Sequence, residues 1–197
     1  MNSKIKLMII IAAFALLVGG AYVLYTQLGE QFAPDQLSTQ PPQTTQSTTG
    51  TDGEQTQSEQ IKAPDFTVYD IQGNEVHLSN YFGKPIVLNF WASWCGPCQM
   101  EMPDFQEKFL ELGKDIHFLM INMTDGSRET VESASTFIVE KQYTFPVFFD
   151  TQSDAAITYG AYSLPTTFFI DADSNVIAQA TGAISGDTLQ KGIDMIS

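Results

Sequence analysis

The chain is short of positive charge. Its 197 residues contain nine lysine and arginine residues against 23 aspartate and glutamate residues, so the formal net charge is −14 at pH 7. Arg128 is the only arginine, and no run of basic residues occurs beyond the N-terminus. Nucleic acids and anionic lipid surfaces bind clusters of lysine and arginine. The composition therefore argues against a nucleic acid, or an anionic membrane surface, as the partner of this protein.

Cysteine and histidine, the usual ligands of structural zinc, are equally scarce. The chain contains two cysteines, Cys95 and Cys98, and two histidines, His77 and His117. A structural zinc site takes about four cysteine or histidine ligands, and the two histidines fall in separate predicted strands. We therefore expect no metal site. A purely structural disulfide is the other plain interpretation, but closing so short a loop gains little of the chain-entropy stabilisation that such bonds provide.

The two cysteines stand where a predicted strand leads into a predicted helix. Residues 86–91 form an apolar run typical of a buried strand, and residues 99–112 have the spacing of an amphipathic helix that ends at Gly113. The unpaired N–H groups and the dipole at a helix N-terminus favour a thiolate over a thiol. We therefore interpret Cys95, at the exposed end of the helix, as the nucleophile of thiol–disulfide exchange, and Cys98 as the resolving cysteine. No cofactor is expected beyond this redox-active disulfide.

The segment around the cysteines resembles a known family. Residues 90–98, Phe-Trp-Ala-Ser-Trp-Cys-Gly-Pro-Cys, resemble the active-site segment of thioredoxin-like proteins. Further segments are similar to those of the TlpA/ResA type, which is related to the AhpC/TSA redoxins: residues 63–68 with Gly73, residues 83–90 and residues 164–171. The resemblance covers roughly residues 61–197. It implies a membrane-tethered, extracytoplasmic disulfide reductase with a thioredoxin-like fold.

The hydrophobic pattern of the same region alternates strands with helices, which predicts an α/β domain with a mixed central sheet. The predicted strands are Phe66–Tyr69, Glu75–Leu78, Ile86–Trp91, Ile116–Asn122, Phe145–Asp150, Thr166–Asp171 and Val176–Thr181. Besides the active-site helix, the predicted helices are Glu129–Tyr143, Asp154–Tyr159 and Leu189–Ile196. The first two strands form an N-terminal β-hairpin. A strand and a helix between Asn122 and Pro165 resemble the central insertion that the TlpA/ResA family carries.

Glu101 is the candidate proton carrier of the site. It follows Cys98 by three residues, so the two share one face of the helix. If that face lies under the sheet, desolvation raises the pKa of the Glu101 carboxyl, which could then exchange a proton with Cys98. The family resemblance implies a glutamate linked to the active site at this position, whereas thioredoxin has a buried aspartate where this chain has Asn89. An ordinary exposed helix glutamate is the alternative.

The resemblance also implies a substrate-binding surface. Pro165 matches a cis proline that faces the cysteine pair, and the backbone beside it, at Leu164, binds substrate as an added strand. The sequence alone would favour a trans bond, since about one X–Pro bond in twenty is cis in folded proteins. The residues expected to shape the surface around Cys95 are Trp94, Gly96 and Pro97. For Trp94 and Pro97, packing and turn geometry are the alternative role.

Residues 1–30 have the features of a membrane anchor. Residues 7–25 are uncharged and mostly aliphatic, close to the ~20 residues that cross a bilayer as a helix. Lys4 and Lys6 precede this span, which predicts a single-pass protein of the cell membrane with a cytoplasmic N-terminus and an extracytoplasmic catalytic domain. A cleaved signal peptide is the alternative, because residues 19–21 are small. The apolar run continues beyond them, which favours a retained anchor.

Residues 31–60 are rich in glutamine, threonine, serine and proline. Such a segment has too few large apolar side chains to offset the entropy of ordering it, so we expect a flexible tether. Residues 61–197 have the length of one domain with a single core.

Three other functions are compatible with parts of this pattern. A peroxiredoxin shares the type of segment found at residues 63–90, before the cysteines. It needs a proline where this chain has Leu88 and a threonine where this chain has Ala92. It also uses an active-site arginine, whereas Arg128 is distant in sequence. A disulfide-forming oxidase or isomerase uses the same fold. A non-enzymatic module that holds a redox partner is the third. The Gly96-Pro97 pair is that of thioredoxin, a reductant with a potential of about −270 mV, and so favours a reductase.

The sequence therefore predicts an extracytoplasmic thiol–disulfide oxidoreductase that reduces disulfide-containing proteins. The family resemblance suggests the haem-binding cysteines of apocytochrome c as one substrate. Because its compartment is oxidising, such a reductase must be recharged, which implies a membrane electron donor resembling the CcdA/DsbD type.

Overall fold

The structure is a computed structural model that describes residues 37–39 and 61–197. Within residues 61–197 the chain forms a seven-stranded mixed sheet in the order β2-β1-β5-β4-β3-β6-β7, with helices on both faces. The strands are β1 (Thr67–Tyr69), β2 (Glu75–His77), β3 (Ile86–Trp91), β4 (His117–Asn122), β5 (Val147–Phe149), β6 (Thr166–Ile170) and β7 (Val176–Thr181). The helices are α1 (Gly96–Leu112), α2 (Val131–Lys141), α3 (Asp154–Tyr159) and α4 (Gly186–Asp194).

Strand β3 is the centre of the sheet. All six of its residues are buried, as expected for a strand that is covered on both faces. It pairs in parallel with β4 and antiparallel with β6, where Phe90 lies opposite Thr166. The chain that leaves β3 toward the cysteines therefore emerges beside Pro165, which immediately precedes β6.

The two faces of the sheet carry separate hydrophobic clusters. Because side chains alternate along a strand, Val87 and Trp91 of β3 pack into one cluster with residues of α1, α2 and α4, whereas Leu88 and Phe90 pack into the other with α3. Asn89 has the same parity as Val87 and Trp91. Its polar side chain is thus buried on the α1 side of the sheet, below the active-site helix.

The α/β class, the mixed sheet and the N-terminal hairpin are confirmed. Several predicted boundaries are wrong. The second strand stops at His77, because Leu78 begins a 3-10 turn. The last helix begins at Gly186 rather than Leu189, since the Ser185 hydroxyl caps it by accepting the N–H of Thr188. Helix α2 begins after Thr130, whose side chain forms a reciprocal cap with Ser133.

Part of the predicted tether lies against the domain. Ser38 and Gln179 of β7 exchange two backbone hydrogen bonds of 2.7 and 2.9 Å, and Leu37 packs against the cluster on the α1 side. These residues depart from the expected free tether. The predicted span 7–25 lies outside the described residues. Among residues 37–39 and 61–197, no helix is long and apolar enough to cross a membrane.

Candidate active site

Cys95 and Cys98 form a disulfide at the N-terminus of α1, with their Cα atoms 5.3 Å apart. Cys95 is the N-cap residue, and its Sγ accepts the backbone N–H of Cys98 at 3.2 Å. Pro97 in the first turn lacks only an N–H that would have no partner within the helix. Cys98 is fully buried, and Cys95 is 4% exposed. The end of the helix is therefore more enclosed than the sequence predicts, and Cys95 is exposed only at the wall of a groove.

Glu101 lies one turn beyond Cys98 on the buried side of α1 and is 2% exposed. Its two carboxyl oxygens accept hydrogen bonds from the Asn89 amide, at 2.8 Å, and from the backbone N–H of Ile184, at 3.0 Å. Burial raises the pKa of Glu101 to about 7, against the opposing effect of these two hydrogen bonds. The carboxyl therefore exchanges its proton near neutral pH, as a proton carrier requires.

Asn89 connects Glu101 to the strand that follows the cis proline. Its Nδ2 donates both to Glu101 and to the Thr167 hydroxyl, at 3.0 Å. Its Oδ1 is buried and has no hydrogen-bond partner among the described residues. The carboxyl group of Glu101 is consequently held between α1, β3 and the loop after β7. Asn89 Oδ1, to which no described residue donates a hydrogen bond, remains available as an acceptor.

The Leu164–Pro165 bond is cis. It stands at a groove of about 530 Å³ that opens onto Cys95. The groove is lined by Trp94, Cys95, Gly96, Pro97, Met123, Asp125, Arg128, Ala161, Tyr162 and Leu164. Four of the five predicted substrate-contact residues thus share one surface with Cys95. The fifth, Pro165, is buried behind it, and its carbonyl accepts the N–H of Gly182 at 2.9 Å.

Arg128 is a site residue that the sequence analysis missed. Its guanidinium carbon lies 3.4 Å from the centre of the Trp94 ring. Asp125 shapes the loop that carries it, because Asp125 Oδ1 accepts the backbone N–H groups of Ser127, Arg128 and Glu129 at 2.7–2.9 Å. Asp125-Gly126 is a recognisable turn signal, but nothing in it indicates where the turn docks. The distance of Arg128 along the sequence is therefore no argument against a peroxidase. Leu88 and Ala92 still argue against one, because they stand where a peroxiredoxin needs a proline and a threonine.

Glu129 is the second missed residue. It is fully buried, with Oε1 accepting from the Ser93 N–H at 2.8 Å and from the Asn122 amide at 2.7 Å, while Oε2 accepts from the Ser93 hydroxyl at 2.7 Å. The sequence analysis assigned it to the start of a helix, where glutamate is common. It instead fastens the turn before Trp94 to the loop that carries Arg128.

The histidines lie away from the cysteines. His77 ends β2, where its Nδ1 is 3.8 Å from the Asp65 carboxylate. His117 begins β4 beside Tyr81. Within the part of the chain that the structure describes, no group of three or more histidine, cysteine, aspartate or glutamate side chains is arranged to hold a metal ion.

Comparison with known proteins agrees with this geometry. The sequence profile of the AhpC/TSA family matches residues 60–179. The thiol-disulfide oxidoreductase ResA of Bacillus thuringiensis subsp. konkukian is 34% identical over 139 residues, which are 69% of this chain and 77% of the relative.

Solved structures match as well. The exposed lipoprotein thioredoxin of Streptococcus pneumoniae is 32% identical with a TM-score of 0.56, covering 66% of this chain and 99% of that one. A DsbF homologue from Corynebacterium diphtheriae is 27% identical with a TM-score of 0.58, covering 74% and 99%. The chain therefore belongs to the AhpC/TSA family, within which it is a thiol–disulfide oxidoreductase of the ResA type.

Proposed function

We propose that this protein reduces disulfides of client proteins outside the cytoplasm. The observation that carries the proposal is the grouping of three parts at one helix terminus. The Cys95–Cys98 pair lies at the groove beside a cis proline, and Glu101, a buried carboxyl whose pKa is about 7, lies on the same helix one turn below. A redox pair, a groove that leads to it and a proton carrier are what reductive exchange requires.

The proposed reaction has two exchange steps. In the reduced enzyme the Cys95 thiolate attacks one sulfur of the client disulfide, forming a mixed disulfide and releasing the first client thiolate. Glu101 takes the proton of the Cys98 thiol, and the Cys98 thiolate then attacks Cys95 Sγ. The enzyme disulfide forms, and the second client sulfur leaves as a thiolate. Two electrons pass from the enzyme dithiol to the client.

The reducing direction is supported by the residues between the cysteines. Gly96-Pro97 is the pair of thioredoxin, a reductant of about −270 mV. Haem-binding cysteines of apocytochrome c are the client class that we propose. Recharging requires a membrane dithiol donor resembling the CcdA/DsbD type. One similar structure is that of an exposed lipoprotein, which supports placing the catalytic domain of this chain outside the cytoplasm, with residues 7–25 as its membrane anchor.

The test is a trap combined with a redox titration. Cys98→Ser should hold the client on Cys95 as a mixed disulfide, and the double variant Cys95→Ser, Cys98→Ser is the matched control that should hold nothing. Mass spectrometry of the trapped species identifies the clients. Equilibration of the wild-type domain with a thiol buffer should give a potential near that of thioredoxin. A potential near −120 mV, that of the oxidant DsbA, would make the protein an oxidase instead.

A further inference from the structure

We propose that Arg128, stacked on Trp94, forms a recognition site for a carboxylate that the client carries within one or two residues of its target cysteine. The inference rests on the proposed function, because it specifies which clients the groove prefers.

The position of Arg128 is the first observation. Trp94 directly precedes Cys95 and is 41% exposed, and the Arg128 guanidinium covers its ring at 3.4 Å. Both side chains line the groove that reaches the nucleophile. A guanidinium that lies over an aromatic ring uses its flat face for the contact and keeps its N–H groups along the edges. Those donors are therefore available to whatever enters the groove beside Cys95.

The second observation is that Arg128 forms no ion pair with a described residue. Among residues 37–39 and 61–197, no carboxylate lies within 4.0 Å of the guanidinium; the ion pairs found there are His77–Asp65 and Lys108–Glu111. The pKa of Asp125 is lowered chiefly by the backbone N–H groups that its carboxylate accepts, and the positive charge of Arg128 adds to this lowering. Asp125 Oδ1, however, already accepts three backbone N–H groups of its own loop.

The third observation is how the loop is held. Glu129 is buried and bonded to Ser93 and Asn122, which fastens the residue after Arg128 to the turn before Trp94. The backbone segments that carry Trp94 and Arg128 are thus held together by these hydrogen bonds to Glu129. A preorganised group loses less conformational entropy on binding than a free side chain does.

The chemistry of the site selects a carboxylate. The planar guanidinium offers paired N–H donors whose spacing matches the two oxygens of a carboxylate. Arg128 is the one cation among the described residues that line the groove, in a chain whose net charge is −14. Long-range repulsion therefore disfavours a generally acidic client, and the preference applies to a single carboxylate placed beside the cysteine.

Synthetic disulfide peptides test the inference. Three acetylated peptides differ beside one cysteine: one has glutamate and an amidated C-terminus, one has glutamine and an amidated C-terminus, and one has glutamine and a free C-terminal carboxylate. The rate constant of exchange is measured both for reduced enzyme with oxidised peptide and for oxidised enzyme with reduced peptide. The enzymes are wild type, Arg128→Gln, Arg128→Lys and, as a matched removal of charge elsewhere, Lys141→Gln.

We expect wild type to prefer the glutamate peptide over the amidated glutamine peptide by roughly three- to fivefold in the second-order rate constant of exchange, the range of a partly exposed ion pair. Arg128→Gln should bring this ratio to about one, Arg128→Lys should keep part of it, and Lys141→Gln should keep it in full. A preference for the free C-terminus over internal glutamate would identify a chain terminus as the source of the carboxylate.

Equal rates for the glutamate and amidated glutamine peptides with wild type, or an unchanged ratio in Arg128→Gln, overturn the inference while leaving the proposed function intact. Exchange that proceeds with reduced peptide but not with oxidised peptide overturns the reductase proposal. In that case the carboxylate preference is still measured in the other direction.

Discussion

At the scale of single residues, the site depends on a buried pair, Glu101 and Asn89. Thioredoxin-like proteins can place a titrating carboxyl on the strand before the cysteines; here the carboxyl comes from the helix instead, and the strand supplies an amide. Because Asn89 donates to Glu101 at 2.8 Å, it stabilises the ionised form against the cost of burial. The balance leaves the pKa of Glu101 at about 7, within the range in which a general base is effective.

Glu101→Gln should slow exchange by about 10²-fold, the lower end of the range for a positioned acid or base. The reason is that Cys98 would lose the group that takes its proton, while attack by Cys95 would be less affected. In wild type the step that uses Cys98 should accelerate as the pH rises through about 7, and the variant should lose that inflection. Stopped-flow exchange from pH 5 to 9 measures both. Identical pH profiles for wild type and Glu101→Gln would show that Glu101 has only a structural role.

The same substitution should change how stability depends on pH. The pKa of Glu101 is raised from 4.5 to about 7 in the folded protein, so the folded state holds this proton more tightly than the unfolded chain does. Its contribution to stability is therefore complete below pH 4.5 and is lost as the pH rises through about 7. The difference between the two pKa values corresponds to about 3 kcal/mol of folding stability.

Urea unfolding of the oxidised domain at pH 5 and pH 8 checks this linkage. Wild type should lose about 2–3 kcal/mol more than Glu101→Gln between the two values. The variant should still fold, because Asn89 can rotate its amide and use its unpaired Oδ1 to accept from the new side-chain amide. An equal loss in both proteins would mean that Glu101 does not titrate in this range.

At the scale of elements, the site is assembled where α1, the cis-proline turn and the β4–α2 loop meet. Helix α1 supplies the cysteines and Glu101, β3 supplies Asn89, and the loop supplies Arg128. These parts are joined by buried polar contacts rather than by apolar packing alone. Such contacts fix one arrangement, since an unpaired buried donor costs about 1–3 kcal/mol.

Glu129→Ala should destabilise the domain by about 3 kcal/mol, because the Ser93 N–H, the Ser93 hydroxyl and the Asn122 amide would all lose a buried acceptor. Exchange should slow in parallel, since the turn before Trp94 would no longer be held. Glu140→Ala, an exposed substitution on the neighbouring helix, is the control and should stay within about 0.5 kcal/mol of wild type. Denaturant unfolding and turnover measure the two effects. Wild-type stability in Glu129→Ala would show that water replaces the carboxyl.

At the scale of the whole molecule, the charge and the N-terminus bear on the proposed location of the enzyme. The chain has a net charge of −14, and its one arginine lies at the groove. The proposed means of localisation is the apolar span 7–25. The short pairing of Ser38 with Gln179 places part of the segment after that span on the edge of β7.

We predict that the mature protein retains residues 1–25 and exposes the catalytic domain outside the cytoplasm. Lysines before the span and the continuous apolar run favour an anchor over a cleaved signal. N-terminal sequencing of membrane-extracted protein and protease treatment of intact cells measure the two parts. A mature chain that begins near Tyr22 would show cleavage, and protection from added protease would place the domain inside.

The sequence by itself determined the class of fold, the redox pair and the helix that presents it. Each of these depends on signals that act over a few neighbouring residues: the apolar run of β3, the cysteine spacing, and the apolar spacing that predicted a helix after it. Glu101 was a candidate for the same reason, because its relation to Cys98 is one turn of a single helix.

Only the tertiary structure decided what surrounds that helix. The partners of Glu101 include Ile184, 83 positions away, and Glu129 reaches Ser93 across 36. Arg128 lies at the groove because its loop follows β4, which the sheet places next to β3. Contacts of this kind leave no periodic or local signal, since they form only when the apolar faces of the sheet and helices pack together. The raised pKa of Glu101 and the position of Arg128 at the groove are therefore properties of the fold.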